Sequence, residues 1–129
     1  MFLIYKKMFL FLSLLTFISC NHQQKNCADF KTGKFKYVLK DRPEIIIRSD
    51  SSQIEINPIT KIEVYSKLIW KSDCEYDMVY DKILNAPEDV SDMIGQKINV
   101  KIVETNSKGY KAHAISPRID VILEFTKID

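Results

Sequence analysis

The sequence has few of the residues from which most catalytic motifs are built. It contains three glycines, two histidines and one tryptophan in 129 residues. So few glycines do not provide a glycine-rich loop for phosphate, and no Gly-x-Ser-x-Gly nucleophile elbow occurs. His22 and His113 have no partner ligands at metal-binding spacing. We therefore predict no metal site, no bound cofactor and no enzymatic activity.

Clustered positive charge is also missing. The chain has 19 Lys and Arg and 17 Asp and Glu, and its small excess comes from Lys6 and Lys7 near the start. Elsewhere the charges alternate with apolar residues, as on the solvated face of strands. Because proteins hold nucleic acid mainly by neutralising phosphates with clustered Lys and Arg, we predict no nucleic-acid partner.

No apolar run reaches the roughly 20 residues that a membrane-spanning helix needs. The longest candidate, Met8 to Phe17, is uncharged and follows Lys6 and Lys7, and it ends shortly before Cys20. A short positive region, an apolar core and a small residue before the end are typical of a secretory signal. We therefore predict that residues 1–19 are a signal peptide.

The end of this segment, Phe17-Ile18-Ser19-Cys20, resembles the lipobox of bacterial lipoproteins. The resemblance implies that Cys20 receives a diacylglycerol thioether, becomes the new N-terminus and is then acylated. The lipid bilayer is then the first partner of the chain, since more than one acyl chain gives stable anchoring. The residues after Cys20 lack the acidic cluster that resembles a surface-export signal. We therefore predict a cell-envelope protein on the periplasmic face of the outer membrane.

The exported part contains two further cysteines, Cys27 and Cys74. An even number of cysteines outside the cytosol favours a disulfide between them, and two free buried thiols are the alternative. Residues 20–28 are mostly polar and lack periodicity, so we expect a lipidated tether. Residues 29–129 are long enough for one small domain and too short for two.

Apolar and polar residues alternate through most of this domain, which predicts half-buried strands. The clearest alternation runs from Lys61 to Lys71. One short helix of one or two turns is predicted within 85–94, with Pro87 in its first turn and Gly95 after its end. The predicted strands are 34–40, 44–48, 53–57, 61–71, 74–80, 97–104, 110–116 and 119–128.

Consecutive strands with short connections predict an all-β fold, an antiparallel up-and-down meander. Because open sheet edges pair with other chains, we expect the meander to curl into a small barrel or half-barrel. The opening Thr32-Gly33-Lys34-Phe35 is similar to the glycine-x-aromatic start of lipocalin-like barrels, with Phe where Trp is usual. That resemblance implies a barrel with an interior binding site.

Two longer stretches, Cys27 to Phe35 and Trp70 to Tyr76, resemble signature segments of a family of small Gram-negative envelope lipoproteins. Some members of that family bear the name of DNA topoisomerase IV. An exported, neutral chain of this length has no room for an ATP site and a DNA gate, so we do not expect that activity.

Two functional hypotheses follow. The first, which the small size of the domain favours, is a non-enzymatic interaction or assembly module of the envelope, with a filled core and an exposed apolar patch or free strand edge. The second is a lipocalin-like barrel that binds a small hydrophobic ligand. In that case we expect a pocket lined by Trp70, Tyr76 and Tyr37, because these aromatics combine apolar rings with polar tips.

Overall fold

The structure is a computed structural model that describes residues 25–129. The predicted signal peptide and Cys20 lie outside the described residues. The described chain forms eight strands and two short 3₁₀ turns, Cys27–Phe30 and Ser91–Met93. The strands are β1 (Gly33–Tyr37), β2 (Ile45–Arg48), β3 (Ser52–Ile56), β4 (Glu63–Ser72), β5 (Glu75–Leu84), β6 (Lys97–Thr105), β7 (Gly109–Ile115) and β8 (Asp120–Lys127).

The eight strands form a closed antiparallel barrel in chain order. Each strand pairs with the next, and β1 pairs with β8, where Phe35 lies opposite Lys127 and Tyr37 opposite Phe125. The predicted all-β meander and its closure into a barrel are therefore confirmed. Closure pairs both edges of every strand, which removes the exposed hydrogen-bonding groups of an open sheet.

The alternation in the sequence corresponds to the inside and outside of the barrel. Inward residues of β6, β7 and β8 lie on the faces expected from the pattern, because successive side chains of a strand point to opposite sides. The largest fully buried side chains are Phe35, Ile46, Ile102 and Tyr110. Three aromatic rings pack together within this core: Phe35 meets Tyr110 edge to face with centroids 5.6 Å apart, and Tyr110 stacks on Phe125 with centroids 5.0 Å apart.

The two ends of the barrel differ. One end, called here the closed end, carries the N-terminal 3₁₀ turn and the turns β2–β3, β4–β5 and β6–β7. The Cys27–Cys74 disulfide joins the 3₁₀ turn to the β4–β5 turn there, which confirms the predicted bridge. Cys27 and Phe30 are buried, and the Phe30 ring lies 5.4 Å from that of Tyr110. The opposite end, called the loop end, carries the connections 38–44, 57–62, 85–96 and 116–119.

The predicted helix over 85–94 is wrong. The segment forms only the 3₁₀ turn Ser91–Met93. Asn85 adopts a left-handed φ of 64°, and its side-chain amide donates to the Lys61 carbonyl at 2.9 Å. The residue before a proline avoids helical geometry, so Ala86 cannot be part of a helix and the helix could not begin before Pro87. Bonds to neighbouring strands replace helical ones, as in the bond from the Gly95 amide to the Tyr80 carbonyl.

Two strand ends also differ from the prediction. β1 ends at Tyr37, because residues 39–42 form a turn in which the Arg42 amide donates to the Leu39 carbonyl at 3.2 Å. Leu39 belongs to the predicted strand 34–40, in alternation with Phe35 and Tyr37, but it lies in this turn and is 58% exposed. β5 continues to Leu84, beyond the predicted end at residue 80, and pairs with β4 along its length.

Candidate functional site

The barrel encloses a cavity of about 300 Å³ between its two ends. Its walls come from seven of the eight strands and are mostly apolar. The small inward side chains of Ala112 and Ala114 on β7 leave space in the middle of the barrel. The other apolar lining residues are Ile46, Met78, Ile98, Val100, Ile119, Val121, Leu123 and Phe125.

A buried arginine lies at the closed end of this cavity. Arg48, the last residue of β2, is 3% exposed and lines the cavity. Its Nε donates to Gln53 Oε1 at 3.0 Å, its Nη1 to the Phe30 carbonyl at 2.9 Å and its Nη2 to the Tyr110 hydroxyl at 2.7 Å. The guanidinium is permanently charged, so this end of the cavity is cationic.

Aromatic rings surround the same guanidinium. Its central carbon lies 4.7 Å from the ring centroid of Phe35, 5.3 Å from that of Tyr76 and 5.6 Å from that of Tyr110. The electron-rich faces of such rings attract a cation, most strongly when it is removed from water. The rings and three hydrogen bonds therefore offset part of the cost of burying the charge.

A second polar group lies toward the loop end. The Tyr37 hydroxyl donates to Glu55 Oε1 at 2.7 Å, and Arg42 Nη2 lies 3.7 Å from the same oxygen. The Arg42 guanidinium also stacks on the Tyr37 ring at 4.1 Å and pairs with Glu44 at 3.4 Å. Tyr37, Arg42 and Glu55 line the cavity and form its mouth, where Arg42 lies between the carboxylates of Glu55 and Glu44.

Burial raises the pKa values of two side chains at the mouth, Glu55 and Tyr37. The Glu55 side chain is 20% exposed, and this burial raises the pKa of its carboxyl, although the Tyr37 hydroxyl and Arg42 favour the charged form. Burial, followed by the nearby Glu55 carboxylate, also raises the pKa of the Tyr37 hydroxyl. Tyr37 therefore stays neutral at physiological pH and acts as a hydrogen-bond donor. The cavity thus combines an apolar middle, a cationic end and a mouth at which Arg42 is paired with carboxylates.

The structure places two of the three predicted pocket residues at the cavity. Tyr37 lies at its mouth and Tyr76 on β5 near its closed end. Trp70 lies outside the lining, which corrects its predicted role. Its ring packs on Tyr76 at 4.6 Å, and its Nε1 donates to the Asp50 carbonyl at 2.9 Å. Trp70 therefore supports the wall of the closed end.

The sequence analysis missed two polar lining residues near the mouth, Arg42 and Tyr80, and three polar residues of β2 and β3: Arg48, Gln53 and Glu55. All three occupy inward positions, and in β3 the inward residues are the polar members of the alternation. The strand register fixes this inward orientation, because Gln53 and Glu55 lie opposite the inward Ser66 and Val64 of β4. Arg48 follows Ile46 by two positions, so the alternation of the strand would have placed both on the inner face. Arginine is almost never fully buried, however, which argued against that placement.

The histidine of the described residues, His113, faces outward from β7, and its Nε2 contacts an oxygen of Asp120. Across residues 25–129, no group of three or more His, Cys, Asp or Glu side chains is placed to hold a metal ion. A wide polar depression beside the N-terminal 3₁₀ turn adjoins Asn26, close to the residues that the structure does not describe. The interior cavity is therefore the candidate site.

A search of the described helical segments for membrane spans found none with the necessary length and apolar character. Comparisons with known proteins gave no match to a family model, a curated protein or a solved structure.

Proposed function

We propose that this chain is a lipid-anchored envelope protein whose barrel binds a small apolar molecule in its interior. The observation that carries the proposal is the cavity of about 300 Å³ in a domain of about 100 residues. Protein interiors are packed to nearly crystalline density and contain few voids larger than a water molecule. A cavity of this size lies at the lower limit of the range for small-molecule sites.

Small residues keep the cavity open. Ala112 and Ala114 are both buried and face the middle of the barrel. A larger aliphatic residue at either position would fill the space and add apolar burial, worth about 0.8 kcal/mol for each methylene. With alanine at these positions the barrel is less stable than it would be with larger aliphatic residues. Such a loss of stability is typical of binding sites, where function and stability compete.

The sequence supports the anchoring part of the proposal through the segment that ends at Cys20. Six residues lie between Cys20 and Cys27, and the seven residue steps that join them span at most about 25 Å. Acylation of Cys20 would therefore hold the closed end of the barrel near the bilayer, because Cys27 is fixed there by its disulfide. The loop end, with the mouth of the cavity, would face away from the membrane surface.

Binding of a neutral apolar probe tests the function. The mature polypeptide, residues 20–129 with Cys20→Ser, is titrated with N-phenyl-1-naphthylamine, whose fluorescence rises in an apolar site. We expect saturable binding that Ala114→Leu reduces at least about tenfold, because the added carbons occupy the cavity. Val103→Leu is the matched control, since Val103 is an exposed residue of β6. Equal binding by the two variants would contradict an interior site.

An envelope interaction module is the second candidate, and one feature of the outer surface favours it. Ile54, Tyr65, Ile69 and Val79 line a shallow groove on the outside of β3, β4 and β5. Ile69 is 56% exposed, and exposed apolar patches mark interaction sites. A photo-crosslinking residue at Ile69 should then give one discrete protein adduct in the envelope, and the same residue at the exposed Ile122 of β8 should not.

A further inference from the structure

The buried Arg48 guanidinium at the closed end of the cavity indicates which class of ligand the barrel binds. We infer that the barrel binds a single-chain apolar molecule with one small anionic head, a carboxylate, and that Arg48 receives this head at the closed end. This inference rests on the proposed ligand-binding function and adds the charge and orientation of the ligand.

The first argument is the charge of the lining. The cavity is lined by two arginines, Arg42 and Arg48, and by one carboxylate, Glu55, so the lining has a net charge of +1. Arg42 and Glu55 form an ion pair at the mouth. Arg48 takes part in none of the ion pairs found within residues 25–129. The excess charge is therefore that of Arg48.

The second argument is hydrogen-bonding capacity. A guanidinium has five N–H donors. Arg48 uses three of them, to Gln53, Phe30 and Tyr110, and all three acceptors are neutral. In the described part of the chain this leaves two donors on a buried cation that borders the cavity. Buried charges in proteins are normally paired, and a carboxylate is the partner whose two oxygens suit a guanidinium.

The third argument is the shape and polarity of the remaining cavity. Between Arg48 and the mouth, most lining side chains are apolar. The described polar ones there are Gln53, whose amide contacts the sulfur of Met78 at 3.3 Å, and Tyr80 of β5. A volume of about 300 Å³ corresponds to roughly ten groups of water size. One chain of about eight to ten carbons fits this volume, and a lipid with two long chains does not.

Three ligands with one chain length test the inference: decanoate, decanol and decylamine, below their aggregation concentrations. Each is titrated calorimetrically at neutral pH into the mature polypeptide, residues 20–129 with Cys20→Ser. Every strand and the disulfide lie within this polypeptide. We expect decanoate to bind at least about tenfold more tightly than decanol, as a charge-assisted hydrogen bond provides, and decylamine to bind more weakly than decanol.

Equal affinities for decanoate and decanol would overturn the inference and leave the apolar binding function standing. Absence of binding by all three ligands would overturn both. These comparisons use the unaltered barrel, so they remain decisive if a variant at the buried Arg48 does not fold.

Arginine variants locate the head group. Arg48→Met replaces the guanidinium with an unbranched apolar side chain and so removes the charge. We expect decanoate to lose its tighter binding relative to decanol, while decanol binds as before. Arg118→Gln is the matched control, because Arg118 lies in the exposed β7–β8 turn and pairs with Asp92. Loss of the decanoate advantage in Arg42→Gln, with Arg48→Met unchanged, would place the head at the mouth and overturn the assignment to Arg48.

Discussion

Removal of the Cys27–Cys74 disulfide is the perturbation whose magnitude follows most directly from the structure. The bridge closes a loop with a sequence separation of 47 residues. In the chain-entropy model a loop of this length stabilises the folded state by about 4 kcal/mol. Domains of this size are stable by only about 5–15 kcal/mol, so the bridge accounts for a large share.

The location of the bridge adds a local effect. Cys27 begins the 3₁₀ turn that ends at Phe30, whose carbonyl accepts a hydrogen bond from Arg48 and whose ring packs on Tyr110. Without the bridge this turn is free to leave the closed end. Arg48 then loses one acceptor, and the buried ring of Tyr110 loses one neighbour. We expect the closed end to unfold locally before the barrel does.

The double variant Cys27→Ser and Cys74→Ser measures both effects. One kcal/mol shifts the Tm of a domain of about 100 residues by roughly 4–8 °C, so we expect Tm to fall by about 15–30 °C. Thermal unfolding is followed by far-UV circular dichroism for the oxidised wild type and the double variant. Reductant should lower the Tm of the wild type by the same amount and leave that of the double variant unchanged. A fall of less than about 4 °C would refute the reasoning.

Three further predictions follow from single residues. Burial raises the pKa of Glu55, so its contribution to stability is greatest below the unfolded pKa near 4.5 and is lost as pH rises through the higher folded value. The Glu55→Gln variant should therefore gain stability relative to wild type between pH 4 and pH 7 in urea unfolding. An equal stability difference at both pH values would contradict this. A Cβ at Gly109 would lie 1.9 Å from the Phe125 carbonyl oxygen, so Gly109→Ala should cost about 1–3 kcal/mol in the same assay, whereas an unchanged midpoint would show that β8 moves aside freely. Cys20→Ala should move the protein from the detergent phase to the aqueous phase in Triton X-114 partition, and its recovery in detergent would count against lipidation.

The strand pattern was predictable because each strand has one face in the barrel interior and one in water. Alternation is then imposed by burial, as from Lys61 to Lys71, and the prediction followed it closely. The bridge was predictable because Cys27 and Cys74 are the two cysteines that remain in the sequence once Cys20 is predicted to carry lipid. The helix over 85–94 failed because local composition favoured it, while Asn85 is held by a contact with Lys61 that is remote in sequence.

A pocket was one of the two hypotheses from the sequence, but the volume of the cavity and most of its lining were not predictable. Its volume depends on how the side chains of seven strands fill a common space, and the small size of Ala112 and Ala114 has meaning only once both are known to face the middle. The placement of Arg48 and Glu55 inside the barrel also depends on register, because β3 turns its polar residues inward and its isoleucines outward. A rule that assigns isoleucine to the core would therefore exchange the inward and outward faces of β3.

The interior location of the ligand is the central claim, and intermolecular nuclear Overhauser effects test it most directly. Protein with isotope-labelled alanine methyl groups is mixed with unlabelled decanol. The account predicts contacts from the chain protons of decanol to the methyl groups of Ala112 and Ala114. Contacts confined to the methyl group of Ala86, in the β5–β6 connection on the outside of the cavity lining, would contradict it.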